Sequence, residues 1–301
     1  MYSKILVPLD GSKTSEKVLP YARHLAGKFK IPVDLLAVLD IAEMATHVSA
    51  DKPRHLDTMI EDGTRASSNY LRGIAATFPN GNVACTVEKD RPEEAIIHKA
   101  SADGGMLIAM ATHGRSGMNR FLLGSVAEKV LRGSANPLLL VRAKEESKTS
   151  GEVAFKSILV PLDGSALAES VIPLAASMAK NLDLEIVLVR TYHIPYNAYA
   201  GDDGFYAVNY DDLLGSVRDE AKEYLDKQVA EVKKLGVARV SALSKEGIAG
   251  DEIIALGRTT PEALIAMCSH GRSGIGRWVL GSVTENVVRH SDAPVLVVRA
   301  K

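Results

Sequence analysis

The chain is poor in the residues that would commit it to a specialised class. Of its 301 residues two are cysteine, one is tryptophan, and aromatic side chains make up 5%. Two cysteines, Cys85 and Cys268, lying in opposite halves, cannot build a disulfide frame and point to a reducing compartment. Lys and Arg number 36 against 37 acids, so no net charge pulls the chain toward nucleic acid or an anionic membrane. No apolar run approaches the roughly 20 residues of a spanning helix. The start, MYSKILVPLDGS, reaches Asp10 too soon for a signal peptide. These absences predict a soluble cytoplasmic protein of ordinary globular composition, with 46% hydrophobic and 24% charged residues.

What the chain has is repetition. Residues 112–144 and 269–301 are identical at 20 of 33 positions, and Ile5–Ser12 (ILVPLDGS) returns unchanged as Ile158–Ser165. The offset between copies grows from 153 at Asp10/Asp163 to 157 at Gly114/Gly271, so the second copy carries four extra residues. A repeat this long is a duplicated domain, not a solenoid unit. The expected domains are 1–143 and 154–301, joined by the polar stretch 144–153.

Within each copy short apolar, β-branched runs alternate with helical spacing. Strands are expected at Lys4–Leu9, Val33–Leu39, Asn82–Lys89, Met106–Met110 and Leu138–Val141, and again at Ile158, Leu184–Val189, Ala238–Lys245, Ala263–Met267 and Val295–Val298. The first helix should bury Val18, Ala22, Leu25 and Phe29. Residues 41–63 and 192–215 read as looser connectors, followed by helices near 64–78 and 216–235. This alternation predicts an α/β fold of two tandem doubly wound domains, each a five-stranded parallel sheet flanked by helices. Ligands of such sheets sit outside the C-terminal strand ends, where Asp10 and Gly114 lie.

Two further features bear on chemistry. Ser125-x-x-Glu128 and Ser282-x-x-Glu285 have the spacing of capping boxes, which would start a helix at the serine. A helix start preceded by a glycine loop suits an anion such as phosphate. His113 and His270 have no partner at metal spacing, and no P-loop is present. Cys85 is expected to be buried in its strand, and Cys268 to stand at the edge of the site.

Taken with the repeat, these motifs resemble a tandem universal stress protein, whose fold is that of the adenine nucleotide alpha hydrolase-like superfamily. The nucleotide signature of that family is Gly-x2-Gly-x9-Gly-Ser/Thr. Gly114 with Gly124-Ser125 and Gly271 with Gly281-Ser282 match its later parts, while Ala111 and Cys268 replace the first glycine. The resemblance implies a ribose-holding aspartate at Asp10 and Asp163, with Pro8 and Pro161 shaping the turn. It implies adenine contacts from the backbone at Val38 and Thr191, and base or sugar contacts from Met110 and Met267. Phosphates would be held by the loops of His113, Gly114, Arg115 and His270, Gly271, Arg272, and by the helix starts Gly124, Ser125, Val126 and Gly281, Ser282, Val283. The implied ligand is ATP or AMP, with Mg2+ accompanying ATP, in a stress-response regulator without dedicated catalysis. The alternatives are an interaction module that has lost nucleotide binding and a weak ATPase. Pairing of the two domains through their fifth strands and a homodimer are implied as well. Between strand two and the next helix of the second copy, Tyr192, Tyr196, Tyr199, Phe205, Tyr206 and Tyr210 suggest a homodimer contact, a pocket lid or a loop folded on its own domain.

Overall fold

A computed structural model describes residues 2–46, 53–79, 81–113, 123–142, 153–194, 210–269 and 280–299. The first copy runs β1 (Lys4–Pro8), a 3₁₀ turn (Ser15–Val18), α1 (Leu19–Phe29), β2 (Val33–Leu39), α2 (Ile41–Thr46), α3 (Pro53–Ala75), β3 (Val83–Lys89), α4 (Pro92–Ser101), β4 (Met106–Ala111), α5 (Ser125–Gly133) and β5 (Leu138–Val141). The second repeats the theme as β6 (Ser157–Pro161), α6 (Ala166–Glu169), α7 (Ile172–Leu182), β7 (Glu185–Tyr192), α8 (Tyr210–Lys234), β8 (Val240–Glu246), α9 (Ala249–Thr259), β9 (Ala263–Cys268), α10 (Ser282–His290) and β10 (Val295–Val298).

The chain divides into two compact units. The first takes in Met1–Ala154 together with Pro294–Arg299, and the second Phe155–Ile275 with Leu280–Ala293. The last strand of the second copy thus counts with the first unit, where a division by sequence alone would not put it.

In the first unit the strand order is β3-β2-β1-β4-β5, all parallel. β10 then runs antiparallel to β5, Leu139 facing Leu296. In the second unit the order is β9-β6-β7-β8, again parallel. The register is the same in both, Ile5 opposite Val33 and Ile158 opposite Ile186, so the offset of 153 aligns Val38 with Thr191. Sequence order reverses at the first strand of each copy. That places a crevice at the C-terminal ends of β1 and β4, and likewise of β6 and β9.

Strands covered on both faces read as apolar runs because no side of them meets water. β4 and β9 are buried along their whole length. Val18, Ala22, Leu25 and Phe29 are buried as the helical spacing predicts. Three expectations need correction. The connector 41–63 holds α2 and most of the first half of α3. Cys85 is exposed, because β3 is the edge strand of its unit and none of its residues is buried. The two helices do begin at Ser125 and Ser282 as expected, but the capping boxes do not form, because Gly124 and Gly281 occupy the cap positions and no side chain caps them. No described helix is long and apolar enough to cross a membrane.

Candidate functional site

The site begins at the turn that leaves the first strand. Gly11 and Gly164 sit at φ +82° and +86°, a conformation in which a side chain is strained. That lets the aspartate before each glycine fold back over the turn. Asp10 Oδ1 accepts the Ser12 N–H at 2.9 Å. Asp163 Oδ1 accepts both the Ser165 N–H at 2.9 Å and the Ser165 hydroxyl at 2.6 Å. Ser165 Oγ in turn accepts the Ala168 N–H at 3.1 Å and so caps α6. Each carboxylate is therefore fixed in direction at a strand end.

The second wall is the start of the helix after the glycine loop. Gly124 N–H donates to Thr112 O, and Gly281 N–H to Ser269 O, both at 2.8 Å. A Cβ on Gly124 would stand 3.0 Å from Thr112 O, which explains the glycine. Glycine holds the cap, and Ser125 and Ser282 stand exposed at the first helical position, in the turn whose N–H groups lack helical partners. Glu128 and Glu285 are engaged elsewhere, in i,i+4 pairs with Arg132 and Arg289. Helix start and serine hydroxyl are thereby disposed to receive an anion.

In the second unit these walls enclose a cavity of about 270 Å³. That is near the lower end of the roughly 300–1,000 Å³ of small-molecule sites. Pro161, Asp163, Thr191, Met267, Cys268, Gly281, Ser282 and Val283 line it together. Leu162, Ala168, Val189, Ala249, Ile253 and Thr284 complete the lining. Sequence reasoning missed these six, most of which are buried apolar residues beside strand ends that look like any other core. The result is an apolar slot with a carboxylate at one end and a helix start at the other. Thr284 ties the two strand-end elements, its hydroxyl donating to Cys268 O at 2.8 Å. Cys268 is buried, with the Ser170 hydroxyl 3.6 Å from its sulfur.

In the first unit, Pro8, Asp10, Val38, Met110, Ala111, Gly124, Ser125 and Val126 occupy the equivalent strand and helix ends. Met110 and Ala111 are buried there. His113 follows β4, its Nδ1 3.0 Å from the Thr112 hydroxyl. Gly114, Arg115, His270, Gly271 and Arg272 lie outside the described residues, as do Tyr196, Tyr199, Phe205 and Tyr206. Among the described residues no group of three or more His, Cys, Asp or Glu could hold a metal.

Comparison with known proteins follows the same two-copy division. The model of the Universal stress protein family matches residues 1–142 and again 154–299. A universal stress protein of Methanocaldococcus jannaschii is 28% identical over 151 residues, spanning 50% of this chain and 85% of the relative. A universal stress protein of Mycobacterium bovis is 22% identical over 305 residues, 98% of this chain and 96% of its own. The crystal structure of a universal stress protein from Archaeoglobus fulgidus superposes with a TM-score of 0.68 at 22% identity, covering 98% of this chain and 96% of that one. That likeness supports the fold. Two matches of the family model, spanning nearly the whole length, decide the family: the chain belongs to the universal stress protein family, as two tandem copies of its domain.

Proposed function

We propose that the chain is a stress-response regulatory protein that binds an adenine nucleotide, ATP or AMP, outside the C-terminal strand ends of each copy, without dedicated catalysis. The observation that carries this reading is the cavity of the second unit, where Asp163, Thr191, Met267 and Ser282 converge around an apolar slot. Asp163 would accept the ribose hydroxyls, Val189, Ile253 and Met267 would flank the base, and Ser282 with the α10 amides would hold phosphate. Asp10, Val38, Met110 and Ser125 would do the same in the first copy. A bound ATP would bring its Mg2+ on its phosphates. Among the described residues no group of three or more His, Cys, Asp or Glu could hold that ion; on this reading the ligand acts by its occupancy.

One observation favours a second reading. Cys268 lines the cavity where the family motif has glycine, and Ala111 stands at the equivalent place. Side chains there narrow the approach to the sugar, as in a module that works without nucleotide. The antiparallel run of β10 on β5 supports a pseudo-dimer built through the fifth strands, with a homodimer of whole chains as the next level.

Thermal unfolding of nucleotide-stripped protein separates the two readings. Ligand at 100 times its Kd adds about 2.7 kcal/mol, a midpoint rise of roughly 5–10 °C for domains of this size. The rise should appear with ATP or AMP and vanish in Asp10→Ala combined with Asp163→Ala. No rise with any adenine nucleotide, followed by a rise once Ala111→Gly and Cys268→Gly are introduced, would establish the nucleotide-free module instead.

A further inference from the structure

The same half-buried pairing recurs in both copies, a few residues past the aspartate turn. In the second unit Tyr224 of α8 donates its hydroxyl to Glu169 Oε1 at 2.7 Å, across 55 residues of chain. Gln228, one turn further along α8, donates to the same oxygen at 2.9 Å. In the first unit Tyr70 of α3 donates to Glu16 Oε1 at 3.3 Å, across 54 residues, and Lys13 completes the pair at 2.9 Å. Glu16 and Glu169 are equivalent at the offset of 153. Glu16 is 4% exposed, a burial that a carboxylate tolerates only when paired.

The second unit adds a cation. Arg190 is 9% exposed on β7. Its guanidinium lies 4.5 Å over the Tyr224 ring, pairs with Glu220 at 3.1 Å, and stands 3.3 Å from where a Cβ on Gly164 would be. Ala37 occupies that place in the first copy. A path of hydrogen bonds, carried across by the single turn of α6, therefore runs from the long helix to the carboxylate. Tyr224 holds Glu169 at the end of α6, Ser165 caps the start of α6, and Ser165 also holds Asp163. The Arg190 guanidinium backs the turn at its glycine. Burial first, and then the hydrogen bond and charge of Glu169, raise the Tyr224 pKa, so the phenol stays a donor.

We propose that Tyr224 and Glu169, with Arg190 behind them, are positioning residues that set the direction of the Asp163 carboxylate toward a ribose. Tyr70 and Glu16 do this less rigidly in the first copy, which lacks the arginine. The inference rests on the nucleotide reading above and assigns the long helices a part in it. A movement of α8 would alter ligand affinity through this path without touching the ligand.

The test is a thermodynamic cycle in the full-length chain carrying Asp10→Ala, so that only the second site reports. Titration calorimetry compares ATP with 2′,3′-dideoxy-ATP, with and without Tyr224→Phe. Hydrogen bonds to a charged acceptor make the hydroxyls worth roughly tenfold to a hundredfold in the parent. Tyr224→Phe should shrink that preference to about threefold or less, and Glu169→Gln, which keeps an acceptor for Tyr224, should restore more of it than Glu169→Ala. A merely structural role would weaken both ligands equally and leave their ratio unchanged, and that result overturns the inference alone. If the Asp10→Ala chain binds neither nucleotide, the nucleotide reading of the second site fails and the inference with it.

Discussion

The two copies have the same strand order and the same aspartate turn, yet differ in where they place charge. In the first, Lys4 on β1 reaches Asp34 on β2 at 3.1 Å, with the Asp34 side chain only 10% exposed. The equivalent positions in the second are Ser157 and Val187, and the buried Ser157 hydroxyl has no hydrogen-bond partner. Between the helices that flank the crevice the contrast repeats. Lys129 on α5 pairs with Glu93 on α4 at 2.5 Å. Asn286 and Gly250 hold those places in α10 and α9, so close that a Cβ on Gly250 would fall 2.4 Å from the Asn286 amide. The second copy instead concentrates its charge behind the aspartate turn, in Arg190, Glu169 and Glu220. Ile248, 63% exposed, and Val283, 37% exposed, stand beside its cavity where the first copy has Arg91 and Val126. Duplication kept the backbone of the aspartate turn and of the helix start and let the charges around them diverge.

The comparison breaks most sharply at the buried pair. Lys4→Ser gives the first copy the serine of the second while leaving Asp34 buried without its cation, and should cost about 2 kcal/mol or more in urea unfolding. Adding Asp34→Val completes the arrangement of the second copy and should recover most of that loss. A double variant no more stable than the single one would mean that the two copies do not tolerate the same pairs. A smaller effect is expected at Thr284, whose place in the first copy is taken by Ala127. Thr284→Ala removes the hydrogen bond to Cys268 O and should lower stability by about 1 kcal/mol in the same assay.

The smallest effect is in pH dependence. Tyr70 and Tyr224 both have raised pKa values, through burial first and then through Glu16 and Glu169. A group whose folded pKa lies above its unfolded value of about 10 contributes stability that is complete below that pH and is lost as pH rises above it. Stability should therefore decline above about pH 10. Tyr224→Phe and Tyr70→Phe should each flatten the decline, which urea midpoints between pH 9 and 11 would record. Tyr2, buried with a raised pKa, supplies a background that neither variant removes.

Much of the frame was legible because alternating apolar runs in an α/β chain have few alternatives. β2, β5 and β10 fall at the expected residues, and the other strands differ at their ends. The helix α3 escaped detection in its first half, where Pro53, His55 and Asp57 give little apolar spacing. Cys85 looked buried because periodicity cannot tell an edge strand from a central one. The Ser-x-x-Glu boxes marked the helix starts at Ser125 and Ser282 but not the cap, for a local reason. Gly124 and Gly281 take the extended cap conformation themselves, which moves each serine one place into the helix.

By itself the sequence determined the duplication and the parallel order of elements, since these follow from repeats and hydrophobic period. Only the tertiary structure decided which of the buried apolar residues face a cavity. Ala168, Val189 and Ile253 carry the same local signal as Val160 or Leu264, and what separates them is the gap left where neighbouring crossovers diverge. It also decided the Tyr224–Glu169 contact, across 55 residues of chain, because a hydrogen bond between distant elements is fixed by packing and leaves no period in the sequence to read.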